Sequence, residues 1–411
     1  MRKSLLTVLL VIFFDLLGFS FIIPFLPTYV SALGGSPFWF GIVLASYSLG
    51  QFFMAPVWGR LSDRVGRRPI LLLSTAGSVL AWSSLALVPN LIFLLVVRFI
   101  AGLMSANFTV AQSYIVDVSP VEKRTANLGL TGMAFGLGFI LGPPSGGFLF
   151  TLGRAVPFWG ASILALTAFL LVVFAVPESL KFQKTTAADA QPATDAQPAT
   201  DAQPAPLRLR RFSMGLLVQT LKNPAVGGLL LVNLGFSMAF SLFQSMFSQV
   251  TTLTLHFSPL GIGLSLAFAG VLVALVQGGG LKALLRLVPE RPLMWLGLLV
   301  CGVGLLAWAF TFSTVYLAAV LLLISLGGGI GTVLIRSLLT KAVPDAEVGG
   351  ILGLSSSIDS LTRVLGPLLG GLLVTAGVFW PGLASGSLAL LAALLGIFFL
   401  GWNTEGLRAQ R

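Results

Sequence analysis

Charge is what this chain lacks most. Only 9% of its 411 residues are charged, against 56% hydrophobic. A soluble domain carries about 25% charged residues, and a water-facing surface cannot be built from so few. The composition excludes a soluble enzyme or binding module and indicates an integral membrane protein. Cys301 is the only cysteine and His256 the only histidine. Disulfides and a Cys/His metal site are thereby excluded, so neither a metal nor a cofactor is expected. No nucleophile–base set or cofactor-binding loop occurs, which argues against catalysis. Acids are scarce too, 13 against 24 Lys and Arg, yet the net charge of +11 does not imply nucleic acid.

What the chain does have is long apolar runs. A spanning helix needs about 20 apolar residues. Twelve such runs occur, roughly at 5–30, 38–58, 70–88, 91–118, 126–149, 158–176, 223–250, 260–281, 293–313, 315–340, 350–374 and 382–401. They are too long for barrel strands and do not alternate. The first is too long for a signal peptide and carries Asp15, so it reads as a retained helix. An even count with both termini cytoplasmic places 20 of the 24 Lys and Arg inside; only Arg154 falls outside, and Arg98, Arg336 and Arg363 lie within spans. That bias is the positive-inside rule. Trp39, Trp58, Trp159, Trp295, Trp380 and Trp402 sit at the expected helix ends, where the indole prefers the interface.

The runs divide into two halves, 1–176 and 223–411, joined by a polar segment 177–222. Within that segment Ala188–Ala205 repeats ADAQPA-TDAQPA-TDAQPA and cannot bury a core. It leads to the basic stretch Leu207–Arg211, suited to the anionic lipid of the inner leaflet. The halves repeat one another: LGPPSGGFL at Leu141–Leu149 returns as LGPLLGGLL at Leu365–Leu373, 224 residues on. The expected fold is an all-α membrane protein of twelve transmembrane helices in two six-helix halves, with a transport site where they meet.

A charge at mid-bilayer costs about 2.5–3.5 kcal/mol on the insertion scale and usually faces a cavity or a partner. Asp15, Arg98, Arg336, Asp359 and Arg363 are such residues. Helical spacing puts Ser356, Asp359, Ser360 and Arg363 on one face, where Asp359 and Arg363 can pair. Further polar stripes are Arg98, Gly102, Ser105, Thr109 and Gln112; Asn233, Ser237, Ser241, Gln244 and Ser248; and Ser325, Gly328, Thr332 and Arg336. Several polar faces on separate helices imply a shared wet cavity. Asp15, Arg98, Asp359 and Arg363 are the proton-coupling candidates. Ser105, Thr109, Gln112, Asn233, Ser237, Ser241, Gln244, Thr332 and Arg336 are the cavity candidates.

Between the second and third runs stands Gly59–Pro69, GRLSDRVGRRP, a short basic loop. It resembles the G-x-L-x-D-R-x-G-R-R signature of the major facilitator superfamily. Asp15 with Gly18, Pro24 and Pro27 is similar to the helix-1 signature of that superfamily's twelve-helix drug:proton antiporters. Leu94, Arg98 and Gly102 resemble its buried-arginine motif, with Ala101 where glutamine is usual. Gly138, Gly142, Pro143, Gly146 and Gly147 match its antiporter motif.

The resemblance implies the major facilitator fold, in the inner membrane of a bacterial-type cell. It also implies proton-coupled efflux of small amphipathic compounds or drugs; the alternative is a facilitator or exporter of a sugar or other metabolite without proton coupling. The expected partners are a small-molecule substrate, protons and membrane lipid, on a monomer. Gly59, Asp63, Arg64, Gly66, Arg67, Arg68, Gly142, Pro143, Gly146 and Gly147 are the gating candidates it implies, Asp63 by binding a helix N-terminus on the inner side. Asp15 would carry the coupling proton, meeting Arg98 in one state and leaving it in another; a cationic substrate would compete with that proton. Within the family, tetracycline exporters carry further buried acids in helices 3 and 9. Here Ala81 and Cys301 stand there, which favours a broader range of lipophilic compounds over a tetracycline–metal complex.

Overall fold

The computed structural model describes residues 2–105, 107–120, 123–179, 224–344 and 347–401. Twelve helices are long and apolar enough to cross a membrane. The first half contains α1 (Arg2–Phe21, continued beyond a turn by Leu26–Ala32), α2 (Pro37–Val65), α3 (Arg67–Ala86), α4 (Leu91–Val118), α5 (Arg124–Leu152) and α6 (Val156–Ala175). The second contains α7 (Pro224–Leu255), α8 (Pro259–Leu284), α9 (Glu290–Trp308), α10 (Thr314–Lys341), α11 (Val348–Ala376) and α12 (Trp380–Gly401). Among the described residues there is no strand. The repeat Ala188–Ala205, the basic stretch Leu207–Arg211 and Trp402 lie outside the described residues.

The same local chemistry starts equivalent helices in the two halves. Ser36-Pro37 opens α2 and Ser258-Pro259 opens α8, each with an extended serine and a proline where no N–H is needed. Asn90 accepts from Phe93 N–H to start α4, and Ser313 accepts from Tyr316 N–H to start α10. Gly153 and Gly377, 224 apart, end α5 and α11 with nearly the same φ, 153° and 157°. The repeat is therefore one of backbone geometry as well as of spelling.

Three sequence expectations are corrected. Gly59–Pro69 is not a loop: α2 continues to Val65 and α3 begins at Arg67, leaving Gly66 as a one-residue corner. Its φ of +118° favours glycine, and the Glu178 carboxylate fills the space a Cβ would take. Trp58 consequently sits inside the fold, 6% exposed, rather than at the interface. Finally, α4 is interrupted at Ser105, between Leu91–Met104 and Asn107–Val118. A broken backbone inside a membrane must find other partners. Here the Trp58 indole donates to Leu103 O at 2.6 Å and the Ser74 hydroxyl to Met104 O at 2.5 Å.

The halves meet along two seams, α5 with α8 and α2 with α11. The antiporter-type motif has a double role in the first. Gly138, Gly142 and Gly146 pack on α1, against Leu16, Ser20 and Phe21; Pro143 and Gly147 pack across the seam on Gly263 and Leu260 of α8. In the second half Gly366 and Gly370 pack on α7, and Pro367 and Gly371 on Gly41 and Pro37 of α2. Small residues let backbones approach where lipid offers no hydrophobic drive. Two further hydroxyls follow the same pattern: Ser20 donates to Gly138 O at 2.9 Å, and Ser241 to Thr362 O at 2.7 Å.

Both seams lie at the end that holds the turns after α1 and α5. Towards the other end the halves separate. Gly270 of α8 still packs on Ile140, but a Cβ added at Gly136, Gly132 or Gly129 of α5 would meet nothing within 4 Å. Gly353, Gly350 and Gly349 of α11 are equally open. The cavity between the halves thus opens towards the end that carries the basic corner at Gly66.

Candidate functional site

Charged and polar side chains from both halves converge on this cavity. In the first half the break in α4 places Asn107 beside α1. Its amide donates to Asp15 Oδ1 at 2.8 Å. Two turns before the break, Arg98 is 1% exposed and lies over the Tyr47 ring of α2, 4.7 Å from its centre. Such a stack is worth about 2 kcal/mol when desolvated. Asp15 and Arg98 therefore do not pair in this state; each is held by a neutral neighbour. Ser105 stands next to the Tyr47 hydroxyl. Thr109 and Gln112 continue the α4 stripe, half-buried.

The second half solves its charges differently. Asp359 pairs with Arg336 of α10 at 3.0 Å and accepts from Ser237 of α7 at 2.7 Å. This corrects the expected Asp359–Arg363 pair: the partner comes from a neighbouring helix rather than the next turn. Arg363 is exposed and stands within electrostatic reach of Tyr47 across the seam. Asn233 is buried with its amide nitrogen unpartnered, and Gln244 is exposed. Ser241 and Thr332 are committed to backbone carbonyls, Thr362 O and Gly328 O, which makes them helix-packing groups here.

The basic corner forms a compact network inside the first half. Arg67 bridges Asp63, at 2.5 Å, and Asp117, at 3.0 Å, and also donates to Ser62. Glu178 accepts from the N–H groups of Arg67 and Arg68 at 3.0 and 3.2 Å, capping the N-terminus of α3. Arg68 donates to Val173 O at 2.7 Å. The Asp63 carboxylate is engaged by Arg67, so the cap on α3 comes from Glu178 alone among these two acids. A Cβ added at Gly59 would meet nothing within 4 Å, and Arg64 is exposed.

Four residues of these networks escape a search for charges within spans. Asn107 and Tyr47 are uncharged, and helical spacing puts Asn107 opposite the Arg98 stripe. Asp117 and Glu178 sit at helix ends, where an acid looks like ordinary surface. The signal available for them was an acid set among basic residues at one membrane face. Ala81 and Cys301, which stand where further acids might be sought, are packed in the apolar core at 7% and 0% exposure. Among the described residues no group of His, Cys, Asp or Glu could hold a metal ion.

Comparisons with known proteins agree with this architecture. The family model described as Major Facilitator Superfamily matches residues 8–286 and 229–410. The class C tetracycline resistance protein of Escherichia coli is 29% identical over 93% of this chain and 93% of its own length. The quinolone resistance protein NorA of Staphylococcus aureus is 25% identical over 91% and 90%. Among solved structures, a bacterial homolog to the human lysosomal transporter Spinster, captured inward-facing and unoccupied, superposes with a TM-score of 0.75. It is 16% identical and covers 97% of this chain and 96% of that one, which speaks for the fold. The chain belongs to the major facilitator superfamily and is a multi-pass transporter of the inner membrane, not an enzyme.

Proposed function

We propose that this protein exports small amphipathic compounds by alternating access, in exchange for protons carried on Asp15. The observation that carries the reading is the pairing of a cavity open at one end with a half-buried acid whose partner is a neutral amide. Asp15 can gain or lose a proton without breaking an ion pair, because Asn107 can serve either form: its N–H donates to a carboxylate, its oxygen accepts from a carboxyl. Arg98 then supplies the second position. When Asp15 turns towards it, the carboxylate is favoured; away from it Asp15 takes a proton, which a cationic group of the substrate then displaces. The relatives named for tetracycline and quinolone resistance support a drug-like cargo.

The two halves, 1–176 and 223–411, move as rigid bodies about the central cavity, joined by the tether 177–222. By the positive-inside bias the open end faces the cytoplasm and both termini lie there. Pro143 and Gly147 hold the outer gate shut against α8, with Gly142 and Gly146 seating α5 on α1. The corner of Gly59, Asp63, Arg64, Gly66, Arg67 and Arg68 waits to close the inner one, with the protein acting as a monomer in lipid. A proteoliposome screen of lipophilic compounds, with and without an imposed pH gradient, tests this. Uphill accumulation should appear only with the gradient. Equal rates and equal final levels in both conditions for every transported compound would make the protein a facilitator.

A further inference from the structure

The break in α4 has no local cause. Ser105 has ψ 69°, where a helix needs about −42°. No proline stands there, and the Ser105 hydroxyl makes no hydrogen bond to the backbone. Residues 103–107 read Leu-Met-Ser-Ala-Asn, all better helix formers than glycine. Counted from the matched helix starts at Asn90 and Ser313, Ser105 corresponds to Gly328, the centre of the run Gly327–Gly329. Yet α10 is unbroken there. Propensity alone would break α10 and spare α4.

The neighbouring helices differ. In an unbroken helix Leu103 O would accept from Asn107 N–H, and Met104 O from Phe108 N–H. Here the Trp58 indole of α2 and the Ser74 hydroxyl of α3 donate to those two carbonyls instead, at 2.6 and 2.5 Å. Close packing of α2 on α4 brings Trp58 within reach: Gly50 lies against Phe99 and Leu103, and Gly102 against Tyr47. Counted from the starts of α2 and α8, Trp58 corresponds to Gly280; counted from those of α3 and α9, Ser74 corresponds to Gly297. The second half has neither donor, and its helix stays whole.

The break also decides where Asn107 points. Arg98 lies over the Phe19 ring, 6.0 Å from its centre, and Phe19 shares one face of α1 with Asp15. The Arg98 stripe therefore faces α1. An unbroken α4 would carry Asn107 on the opposite face, turned away from Asp15. With the break, its amide reaches Asp15 at 2.8 Å.

We propose that Trp58 and Ser74 are positioning residues for Asp15: by occupying the carbonyls of Leu103 and Met104 they hold α4 broken and seat Asn107 on the acid. Their part in proton coupling rests on the export reading above; the latch on α4 does not. The helix is then a two-state element. While both donors are in place the broken form is favoured, and without them the freed carbonyls recover their own N–H groups and Asp15 loses its amide.

The test is backbone amide exchange, read by mass spectrometry on the full chain in lipid nanodiscs with no gradient. Trp58→Phe keeps an aromatic ring and loses the donor; Ser74→Ala loses only the hydroxyl. The double variant should raise protection across 105–109 about ten-fold, the scale of the hydrogen bonds regained, and each single variant should raise it less. Asn107→Val, of similar helix propensity, should leave protection there unchanged, since both donors still hold the break. Unchanged or lower protection in the double variant overturns the proposal. So does a rise in Asn107→Val, which would make the contact with Asp15 the cause of the break. If the double variant does not fold, Ser74→Ala decides by the same criterion. Uphill export is the second readout. The double variant and Asn107→Val should lose the same fold in rate, and combining them should cost nothing more, whereas additive losses deny the positioning role. If exchange responds as expected but no gradient drives transport in the native protein, the export reading fails and the latch stands. If gradient-driven export holds while exchange is unchanged, the latch fails alone.

Discussion

The two halves share a backbone plan and treat charge in opposite ways. In the second half Asp359 is tied to Arg336 and to Ser237, drawing α7, α10 and α11 together. In the first, Asp15 and Arg98 belong to the same cavity yet lean on Asn107 and Tyr47. A bound ion pair resists protonation, since removing one partner leaves an uncompensated charge. A carboxylate on an amide resists far less. Under the proposed exchange for protons, the difference favours the first half for the moving proton and makes the second half's pair structural, although the two halves repeat one another. It also explains why α4 is broken and its counterpart α10 runs unbroken from Thr314 to Lys341: only the break delivers Asn107 to Asp15.

The sharpest way to break this comparison is to neutralise each acid in turn. Asp15→Asn should abolish uphill export while downhill exchange persists. Asp359→Asn should slow transport only a few-fold through loss of the Arg336 ion pair, whose arginine is solvent-exposed, yet keep its dependence on the gradient. Proteoliposome flux at matched protein density separates the two; retained uphill export in Asp15→Asn would reverse the assignment.

Next in size is the contrast between the seams. A Cβ at Gly147 would stand 2.8 Å from the Leu260 Cα, whereas one at Gly371 would lie 3.2 Å from the Gly41 Cα. Gly147→Val should therefore prise α5 from α8 and reduce transport by more than Gly371→Val, which strains α2 and α11 less. Cross-linking yields between α5 and α8 report the opening. Equal loss in both variants would mean that the seams are equivalent.

The corner at Gly66 offers a smaller, static test, since its second-half counterpart reads Pro289 and lacks the network. Gly66→Ala places a side chain at φ +118° and displaces the Glu178 cap, at a cost of about 1–3 kcal/mol. Glu178→Gln, which keeps shape and loses charge, should cost about 1 kcal/mol. Thermal unfolding in detergent ranks them, and the reverse ranking would deny the cap its role. Smallest of all is the tether. Deleting part of Ala188–Ala205 should leave transport unchanged, and loss of flux in correctly inserted protein would show that the segment does more than join the halves.

Much of the fold was legible because the bilayer imposes it: apolar runs of spanning length and basic loops on one face leave few alternatives. The 224-residue offset was legible for the same reason that the seams exist, since close helix approach at Gly142, Pro143, Gly146 and Gly147 demands the same small residues at 366, 367, 370 and 371. Helix ends were less so. Hydropathy marks where the apolar run stops, not where the helix does, and so Gly59–Val65 read as loop although its backbone is helical. Through-space partners were not legible at all. Nothing in the spacing of α11 says that Asp359 will choose Arg336 over Arg363, and no proline announces the break at Ser105. Asn107 could have been noticed as an amide within a span; its meeting with Asp15 could not.

The central claim is that Asp15 holds the proton that the substrate displaces, and proton release measures it most directly. Purified protein in weakly buffered detergent is mixed with saturating substrate at a series of pH values, and released protons are counted with a pH indicator. The native protein and Asp359→Asn should each release protons on binding, with the same pH dependence, and Asp15→Asn should release none while still binding. Undiminished release from Asp15→Asn would contradict the claim and move the coupling proton elsewhere in the cavity.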